Sequence, residues 1–424
     1  MEPHAADRSS SLSWSQVRNA GRLGCFWSRS PSAMRRWVRS INSLLVILGY
    51  GHTVTLTTHD SVDASAASAR RLRADPAKLD GVFARLSERV RDGALPAAAL
   101  AVGDADGMIR ADTYSSEPKP LALDSNFFLA SVTKPIVSTA FMQLVEDGKV
   151  GLHQPIADFE PRLRELGDGR EKVTPWHVMT HTSGLDDFDP RLIGRKRPSA
   201  AQMTSHVIES PLHFEPGTKW EYVSAPFYLL TMIMERVSGL GYIDFLDTRL
   251  QRPLGMHATF DPRRAGRPIV AVHGIGVDSF VTRFLVLRYM ARAALPGGGL
   301  FGTLDDMTRF GAALLQPRHV DGRDMPLKPE TIALMAEDQT RGEVRGVHDD
   351  VEVPVHHGLG WGKPTLMRDS PGSKNVFSHG GASGTRLWVD PDADLVFVFF
   401  TNRWAADRGV EAQALIGTYE AMRP

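Results

Sequence analysis

Cysteine is almost absent from this 424-residue chain, which contains only Cys25. No disulfide can form within the chain, and a zinc site built on cysteines is excluded. An excess of one charge is also missing, because 49 Lys and Arg residues balance 49 Asp and Glu residues. Without a net positive field, the composition argues against nucleic-acid binding. A hydrophobic content of 42% is typical of a globular chain and argues against a multi-span membrane protein.

The first 76 residues differ in composition from the rest, which predicts an extension before one composite domain at 77–424. Within the extension, three arginines precede a short apolar run, Ile41 to Gly49, and small residues follow. Residues 34–69 therefore resemble a secretory signal. The run is too short to cross a bilayer. The alternative is an extension whose apolar patch docks on the domain, so the sequence leaves cytoplasmic and exported locations open.

Strand patterns lie at both ends of the domain, and helical patterns lie between them. Apolar strands are predicted at Ala97–Val102, Met108–Tyr114, His357–Gly362, Val376–His379, Thr385–Val389 and Leu395–Thr401. Tight turns join neighbouring strands, and the alternation of strand and helix that builds a parallel sheet is missing. The sequence thus predicts an α+β fold, in which an antiparallel sheet from both chain ends packs on helices and a helical subdomain is inserted.

One apolar segment of the middle region contains basic residues. Phe280 to Leu287 is apolar, but Arg283, Arg288 and Arg292 interrupt the pattern. We predict a helix here that is either buried or used for docking.

The tetrapeptide Ser131-Val132-Thr133-Lys134 begins a helical pattern. Positions i and i+3 share a helix face, so Lys134 can reach the Ser131 hydroxyl. A serine becomes a nucleophile when a base takes its proton, and a buried lysine can be that base. Taken alone, the motif favours the alternative of a helix-capping serine followed by an exposed lysine.

Four further segments follow in a fixed order: PWHVMTHTSGL, FEPGTKWEYVSAPFYLL, LPGGGLFGTLDDMTRFG and FSHGGASGTRLWVDPDADLVFVFFTNR. Together with FFLASVTKPIVSTAFMQLVEDGKVGL, they resemble the serine β-lactamase and DD-peptidase-like hydrolases, on the class C β-lactamase-related branch with its esterases and D-aminopeptidases. The resemblance runs from about Leu79 to the C-terminus.

The resemblance implies roles at matching positions. Ser131 would be the acylated nucleophile and Lys134 its proton acceptor. Tyr222 would be a second base or proton shuttle, in which a nearby lysine could favour the phenolate. The backbone N–H groups of Ser131 and Ala382 would form the oxyanion hole. Substrate-binding positions would be Ser224, His379, Gly380 and Gly381.

Two of these positions depart from the β-lactamase pattern. Ser224 stands where class C enzymes have asparagine, and His379-Gly380-Gly381 replaces Lys-Thr-Gly. A histidine is largely neutral at pH 7, whereas a lysine would bind a carboxylate. We therefore expect a serine hydrolase of small esters, with D-amino-acid amides next. The alternatives are a β-lactamase or D-amino-acid peptidase, a β-lactam-responsive binding protein, and a non-catalytic relative that binds peptide or cell-wall ends.

Other patterns do not indicate a cofactor. Gly297–Gly302 matches GxGxxG, but no strand-helix unit surrounds it, which favours a turn before the Leu304 helix. His177 and His181 are four apart without the glutamate of HExxH. The chain has no GxSxG, which argues against an α/β-hydrolase. The sequence predicts no metal, no organic cofactor, a small-molecule substrate and no nucleic-acid partner, and it leaves the oligomeric state open.

Overall fold

A computed structural model describes residues 74–117, 120–187, 197–274, 280–315, 327–348, 351–367 and 369–422. The signal-like segment 34–69 lies outside these residues. The domain start at residue 77 stays a prediction, and the first described helix begins at Pro76.

A five-stranded antiparallel sheet forms the centre of the fold, in the order β2-β1-β9-β8-β7. The strands are β1 (Ala97–Asp104), β2 (Gly107–Ser115), β3 (Phe127–Phe128), β4 (Phe301–Gly302), β5 (Arg345–His348), β6 (Val351–Pro354), β7 (Phe377–Gly380), β8 (Arg386–Asp390) and β9 (Leu395–Thr401). Strand β1 from the N-terminal part pairs with β9 from the C-terminal part. The predicted sheet from both chain ends is confirmed. Strands β3 and β4 pair with each other, as do β5 and β6.

Most of the helices lie between the two groups of strands, while the first helix precedes the first strand and the last helix follows the last strand. They are α1 (Pro76–Arg91), α2 (Thr133–Glu146), α3 (Arg162–Glu165), α4 (Pro175–Met179), α5 (Ala200–Glu209), α6 (Phe227–Ser238), α7 (Tyr242–Leu246), α8 (Arg252–Leu254), α9 (Phe280–Ala293), α10 (Leu304–Leu315), α11 (Pro329–Ala336), α12 (Pro364–Met367) and α13 (Gly409–Ala421). Within the described part of the chain, no helix has the length and apolar content needed to span a membrane.

Both faces of β1 are buried, which explains why the strand is apolar from Ala97 to Val102. Side chains alternate between the faces along a strand. Leu100 and Val102 pack with α1 and α13, while Ala99 and Ala101 face the larger core that contains α2 and α10. The small alanines of β1 let the helices approach the sheet closely, and the sheet therefore lies between two helical layers.

The prediction of a strand at His357–Gly362 is wrong. The Gly358 N–H donates to the Trp361 carbonyl at 2.7 Å, which closes a tight turn. Only isolated bridges remain, from Gly362 to His357 and to Ser378. Alternating apolar residues indicated a strand, but two glycines let the chain turn instead. The strands β5 and β6, of four residues each, were not predicted, because so short a run gives little signal.

A buried ion network ties β8 to the C-terminal helix. The Glu411 carboxylate on α13 accepts from Arg386 Nε at 2.5 Å and from Arg408 Nη1 at 2.9 Å. The two guanidinium groups hold the pKa of Glu411 below its usual range, against the raising effect of burial. The Arg386 guanidinium also donates to Ser378 Oγ on β7 at 3.3 Å. One carboxylate thus fixes the helix against the edge of the sheet.

We predict that Glu411→Gln lowers the free energy of unfolding by about 3 kcal/mol, because two arginines lose their buried counter-charge. Urea denaturation measures the change. Glu88→Gln, at an exposed position of α1, is the matched control and should change the stability by less than about 0.5 kcal/mol. Equal, small effects of both substitutions would show that the network does not contribute to stability.

Candidate active site

Ser131 lies in a single 3₁₀ turn, Ala130–Val132, directly before α2. Ala130 has a φ of 47°, a left-handed conformation that side chains disfavour. Thr133 stabilises this turn, because its Oγ1 donates to the Ala130 carbonyl at 2.7 Å and accepts from Leu300 N at 3.1 Å. Ser131 itself is only half-buried. The strained turn thus presents the serine at the start of a rigid helix.

Lys134 is completely buried, and three oxygen atoms surround its amine. Its Nζ lies 2.7 Å from the Gly297 carbonyl, 2.8 Å from Ser224 Oγ and 3.4 Å from Ser131 Oγ. The helix geometry predicted from the i and i+3 spacing therefore brings Lys134 to the serine. The alternative, an exposed lysine, does not apply.

Burial lowers the pKa of Lys134 to about 7, and the negative charge of Asp187 opposes part of this decrease. A neutral amine has two N–H donors and one lone pair. The Gly297 carbonyl and the Ser224 hydroxyl lie where they can accept both donors. The lone pair is then left for the proton of Ser131, which is the arrangement that a general base requires.

The glycine-rich turn holds the amine from the far side. An added Cβ at Gly297 would lie 2.5 Å from the Ser224 carbonyl oxygen, so only glycine fits between the two segments. The turn was expected to lead into the Leu304 helix, and Thr303 and Asp306 indeed cap that helix with reciprocal hydrogen bonds. What the sequence did not indicate is that the Gly297 carbonyl contacts Lys134.

The segment with Tyr222 and Ser224 is held by two residues of the preceding loop. Asp187 Oδ1 accepts from the backbone N–H groups of Ser224 and Ala225, each at 2.9 Å. His181 Nδ1 accepts from Val223 N at 3.3 Å. The sequence predicts that Ser224 binds substrate, and in the structure its hydroxyl contacts the Lys134 amine. Asp187 was missed, because a carboxylate in a loop carries no signal for such a distant contact.

Tyr222 borders the open side of the cleft. Its side chain is 40% exposed, yet burial is the main influence on its hydroxyl and raises the pKa above the usual value. A hydrogen bond with Ser131 lowers the pKa in part, and Asp187 raises it further. Lys134 Nζ lies 4.5 Å from the centre of the ring. These surroundings favour a neutral phenol over the phenolate that the sequence suggested.

The turn after β7 contacts the nucleophile turn directly. Ser383 Oγ donates to the Phe128 carbonyl at 2.5 Å, and Thr385 Oγ1 donates to the Leu129 carbonyl at 2.8 Å. An added Cβ at Gly381 would lie 2.4 Å from the Leu129 carbonyl oxygen. These contacts bring Ala382 to the vicinity of Ser131, although 250 residues separate them. That the two N–H groups act as an oxyanion hole stays a prediction.

Three buried histidines surround the site and carry no charge. His379 follows Ser378 on β7, and its Nδ1 lies 3.1 Å from the Gly380 carbonyl. Burial, followed by repulsion from Lys134, lowers the pKa of His379 well below its usual value. The pKa values of His357 and His181 are also lowered, mainly by burial. The His181 ring lies 4.5 Å from Tyr222 between ring centres. The site thus has a neutral wall of aromatic rings.

His177 contributes no group to this site. Its Nδ1 accepts from the Thr174 backbone N–H at 3.1 Å, and Thr174 Oγ1 accepts from the His177 N–H, which caps helix α4. The role that the structure shows for His177 is therefore that of a helix cap.

Comparison with known proteins agrees with this geometry. The sequence model of the family described as Beta-lactamase matches residues 81–419. The chain belongs to the β-lactamase family of serine hydrolases. Esterase EstB of Burkholderia gladioli is 30% identical over 324 residues, which cover 67% of this chain and 79% of that protein.

A peptidase is a more distant relative in sequence, and a solved hydrolase structure shares the fold. The D-alanyl-D-alanine-carboxypeptidase/endopeptidase AmpH of Escherichia coli K12 is 25% identical over 291 residues, 66% of this chain and 71% of that protein. The solved structure of EstCE1, a hydrolase with promiscuous acyltransferase activity, has a TM-score of 0.65 at 20% identity and covers 83% of this chain and 100% of its own. The latter comparison confirms the fold.

We predict that Gly297→Ala lowers kcat/KM for an ester by about 100-fold, because the new methyl group displaces Ser224 and with it the Lys134 amine. Gly298→Ala is the matched control in the same turn, since its Cβ would find its nearest atom at 3.7 Å. Steady-state kinetics measures both variants. Equal activities of the two variants would contradict the role of the Gly297 contact.

We also predict that kcat/KM rises with pH around an apparent pKa of about 7, because Lys134 must lose its proton to act as the base. Tyr222→Phe should lower kcat by about 100-fold and keep the same rise near pH 7, since the raised pKa of Tyr222 places its titration far higher. A pH–rate profile of both proteins tests this. A rise that disappears in Tyr222→Phe would identify the tyrosine as the titrating base.

Proposed function

We propose that this protein hydrolyses small esters through an acyl-enzyme on Ser131. The observation that carries the proposal is the position of the buried Lys134 amine, which lies 2.7 Å from the Gly297 carbonyl, 2.8 Å from Ser224 Oγ and 3.4 Å from Ser131 Oγ. A lysine in this setting is neutral near pH 7 and can take the serine proton.

The reaction has two steps, acylation and deacylation, which use the same catalytic groups. Ser131 Oγ attacks the ester carbonyl, its proton passes to Lys134, and the N–H groups of Ser131 and Ala382 stabilise the oxyanion. The C–O bond to the leaving alcohol then breaks, and the alcohol takes a proton delivered through the neutral Tyr222 hydroxyl. In the second step water attacks the acyl carbonyl and gives a proton to Lys134. The C–O bond to Ser131 then breaks, Lys134 returns the proton to Ser131 Oγ, and the acid leaves.

The neutral site favours uncharged esters over β-lactams and peptides that end in a carboxylate. His379 stands at the position of a lysine in β-lactamases, and burial keeps its ring uncharged. Ser224 replaces the asparagine, and its hydroxyl is occupied by Lys134 at 2.8 Å. Without a cation or a side-chain amide there, neither the carboxylate nor the acylamide of a β-lactam has its partner. The non-catalytic alternative is disfavoured because Ser131, Lys134 and Tyr222 lie together.

Fluorophosphonate labelling tests the activated serine. We expect a single mass adduct on the wild-type protein and none on Ser131→Ala, because the alanine lacks the attacking oxygen. Ser138→Ala is a matched control on the same helix. The Ser138 hydroxyl is buried without a partner, so its removal should leave the labelling unchanged. A folded wild-type protein that forms no adduct would favour the non-catalytic alternative.

The substrate class is tested by parallel assays of p-nitrophenyl esters, nitrocefin and D-alanine p-nitroanilide. We expect kcat/KM for the acetyl and butyryl esters to exceed that for the other two by about 100-fold or more. Ser131→Ala should reduce ester hydrolysis by at least about 10⁴-fold. A higher kcat/KM for nitrocefin or for the anilide would replace the ester assignment by β-lactamase or peptidase activity, respectively.

A further inference from the structure

Helix α9 exposes apolar side chains that no part of the described core covers. The helix was predicted to be either buried or used for docking, and the structure does not bury it. Between residues 281 and 293 only Ala293 is buried. Val281 is 64% exposed, Phe284 46% and Leu285 38%. These three side chains lie close together at helical spacing, so they form an apolar patch on one face.

The same face is strongly basic. Arg288 and Arg292 follow Phe284 and Leu285 at helical spacing, and both are exposed. No Asp or Glu occurs between Asp278 and Asp305. Neither arginine has a carboxylate within ion-pair distance among the described residues. A solvated surface helix normally mixes both charge signs, whereas this helix contains three arginines and no Asp or Glu.

A cavity of about 490 Å³ lies beside the helix. Its lining includes Arg263, Arg264, Arg288, Arg292, Asp261 and Ile243. Asp261 binds Arg263 through two hydrogen bonds of 2.7 and 2.8 Å and lies 3.5 Å from Arg264. One carboxylate thus faces four guanidinium groups, which leaves a net positive cavity of the size of a phosphate-bearing headgroup.

We propose that helix α9 and this cavity form a docking surface for an anionic lipid bilayer. Val281, Phe284 and Leu285 would enter the boundary between headgroups and acyl chains, and the arginines would bind lipid phosphates. Arginines beside apolar side chains suit a membrane surface, because their long stems let the guanidinium groups reach lipid phosphates while the apolar side chains enter the interface.

Other occupants fit these features less well. A nucleic acid or an acidic protein would match the arginines but leave the exposed valine, phenylalanine and leucine without apolar partners. The N-terminal segment of this chain, with Ile41 to Gly49, would match the apolar patch, but its preceding arginines would face those of the helix. A bilayer of anionic lipids supplies both the negative surface and the apolar interior.

Vesicle co-sedimentation of the full chain tests the proposal. We expect binding to vesicles of phosphatidylcholine with about 30% phosphatidylglycerol and little binding to phosphatidylcholine alone. Inorganic phosphate at millimolar concentration should not compete, because the bilayer offers many headgroups and an apolar phase. Ser131→Ala should bind equally well, so the result is independent of the catalytic proposal.

Variants assign the binding to this surface. The double variant Arg288→Gln/Arg292→Gln should weaken binding by about 25-fold, at about fivefold for each arginine near an anionic surface. Arg341→Gln, an equally exposed arginine on another part of the surface, is the matched control and should bind normally. Val281→Ser/Phe284→Ser should reduce the binding that persists at high salt. All of the changed side chains are exposed. Circular dichroism of each variant checks that it folds.

Several results would overturn the proposal. One is a wild-type protein that does not sediment with anionic vesicles. Another is a double variant that binds as well as Arg341→Gln, which would assign the binding to another segment. A third is a wild-type protein that binds heparin beads but not vesicles, together with a double variant that has lost the heparin binding. This result would identify the surface as a site for soluble polyanions.

Discussion

The contact of the Lys134 amine with two oxygen acceptors is the interaction on which the rest of the site depends. The Gly297 carbonyl and the Ser224 hydroxyl lie on segments 163 and 90 residues away in the chain. For both to reach one amine, the glycine-rich turn must approach the serine backbone more closely than any side chain allows. This contact depends on three further features, which are the position of Asp187, the absence of a side chain at Gly297 and the burial of α2.

The pairing of strands from the two ends of the chain positions the other half of the site. Strand β1 pairs with β9, so the N-terminal and C-terminal strands share one sheet. The edge strand β7 then lies next to the turn with Ser131, and the hydroxyls of Ser383 and Thr385 join the two turns. Because these bonds end on backbone carbonyls, they fix the course of the chain at the point where substrate would enter.

Much of this arrangement follows from sequence patterns, and the remainder depends on contacts between distant segments. Helical spacing predicted that Lys134 reaches Ser131, and apolar runs bounded by turns predicted most strands of the sheet. The apolar pattern was misleading at His357–Gly362, where glycines permit a turn. Asp187 and the Gly297 carbonyl could not be predicted, since a loop carboxylate and a backbone oxygen carry no periodic signal. The phenolate of Tyr222 was expected from a nearby positive charge, but burial has the larger effect.

The burial of Lys134 also couples the acid–base chemistry to the stability of the fold. The unfolded chain keeps a proton on this amine up to a pKa near 10.5, whereas the folded chain loses it near 7. Between these values the unfolded state binds the additional proton, so stability increases with pH and is lowest at neutrality and below. The difference is on the order of 5 kcal/mol. A chain with methionine at this position would thus be inactive, and residue 134 would no longer make its stability depend on pH.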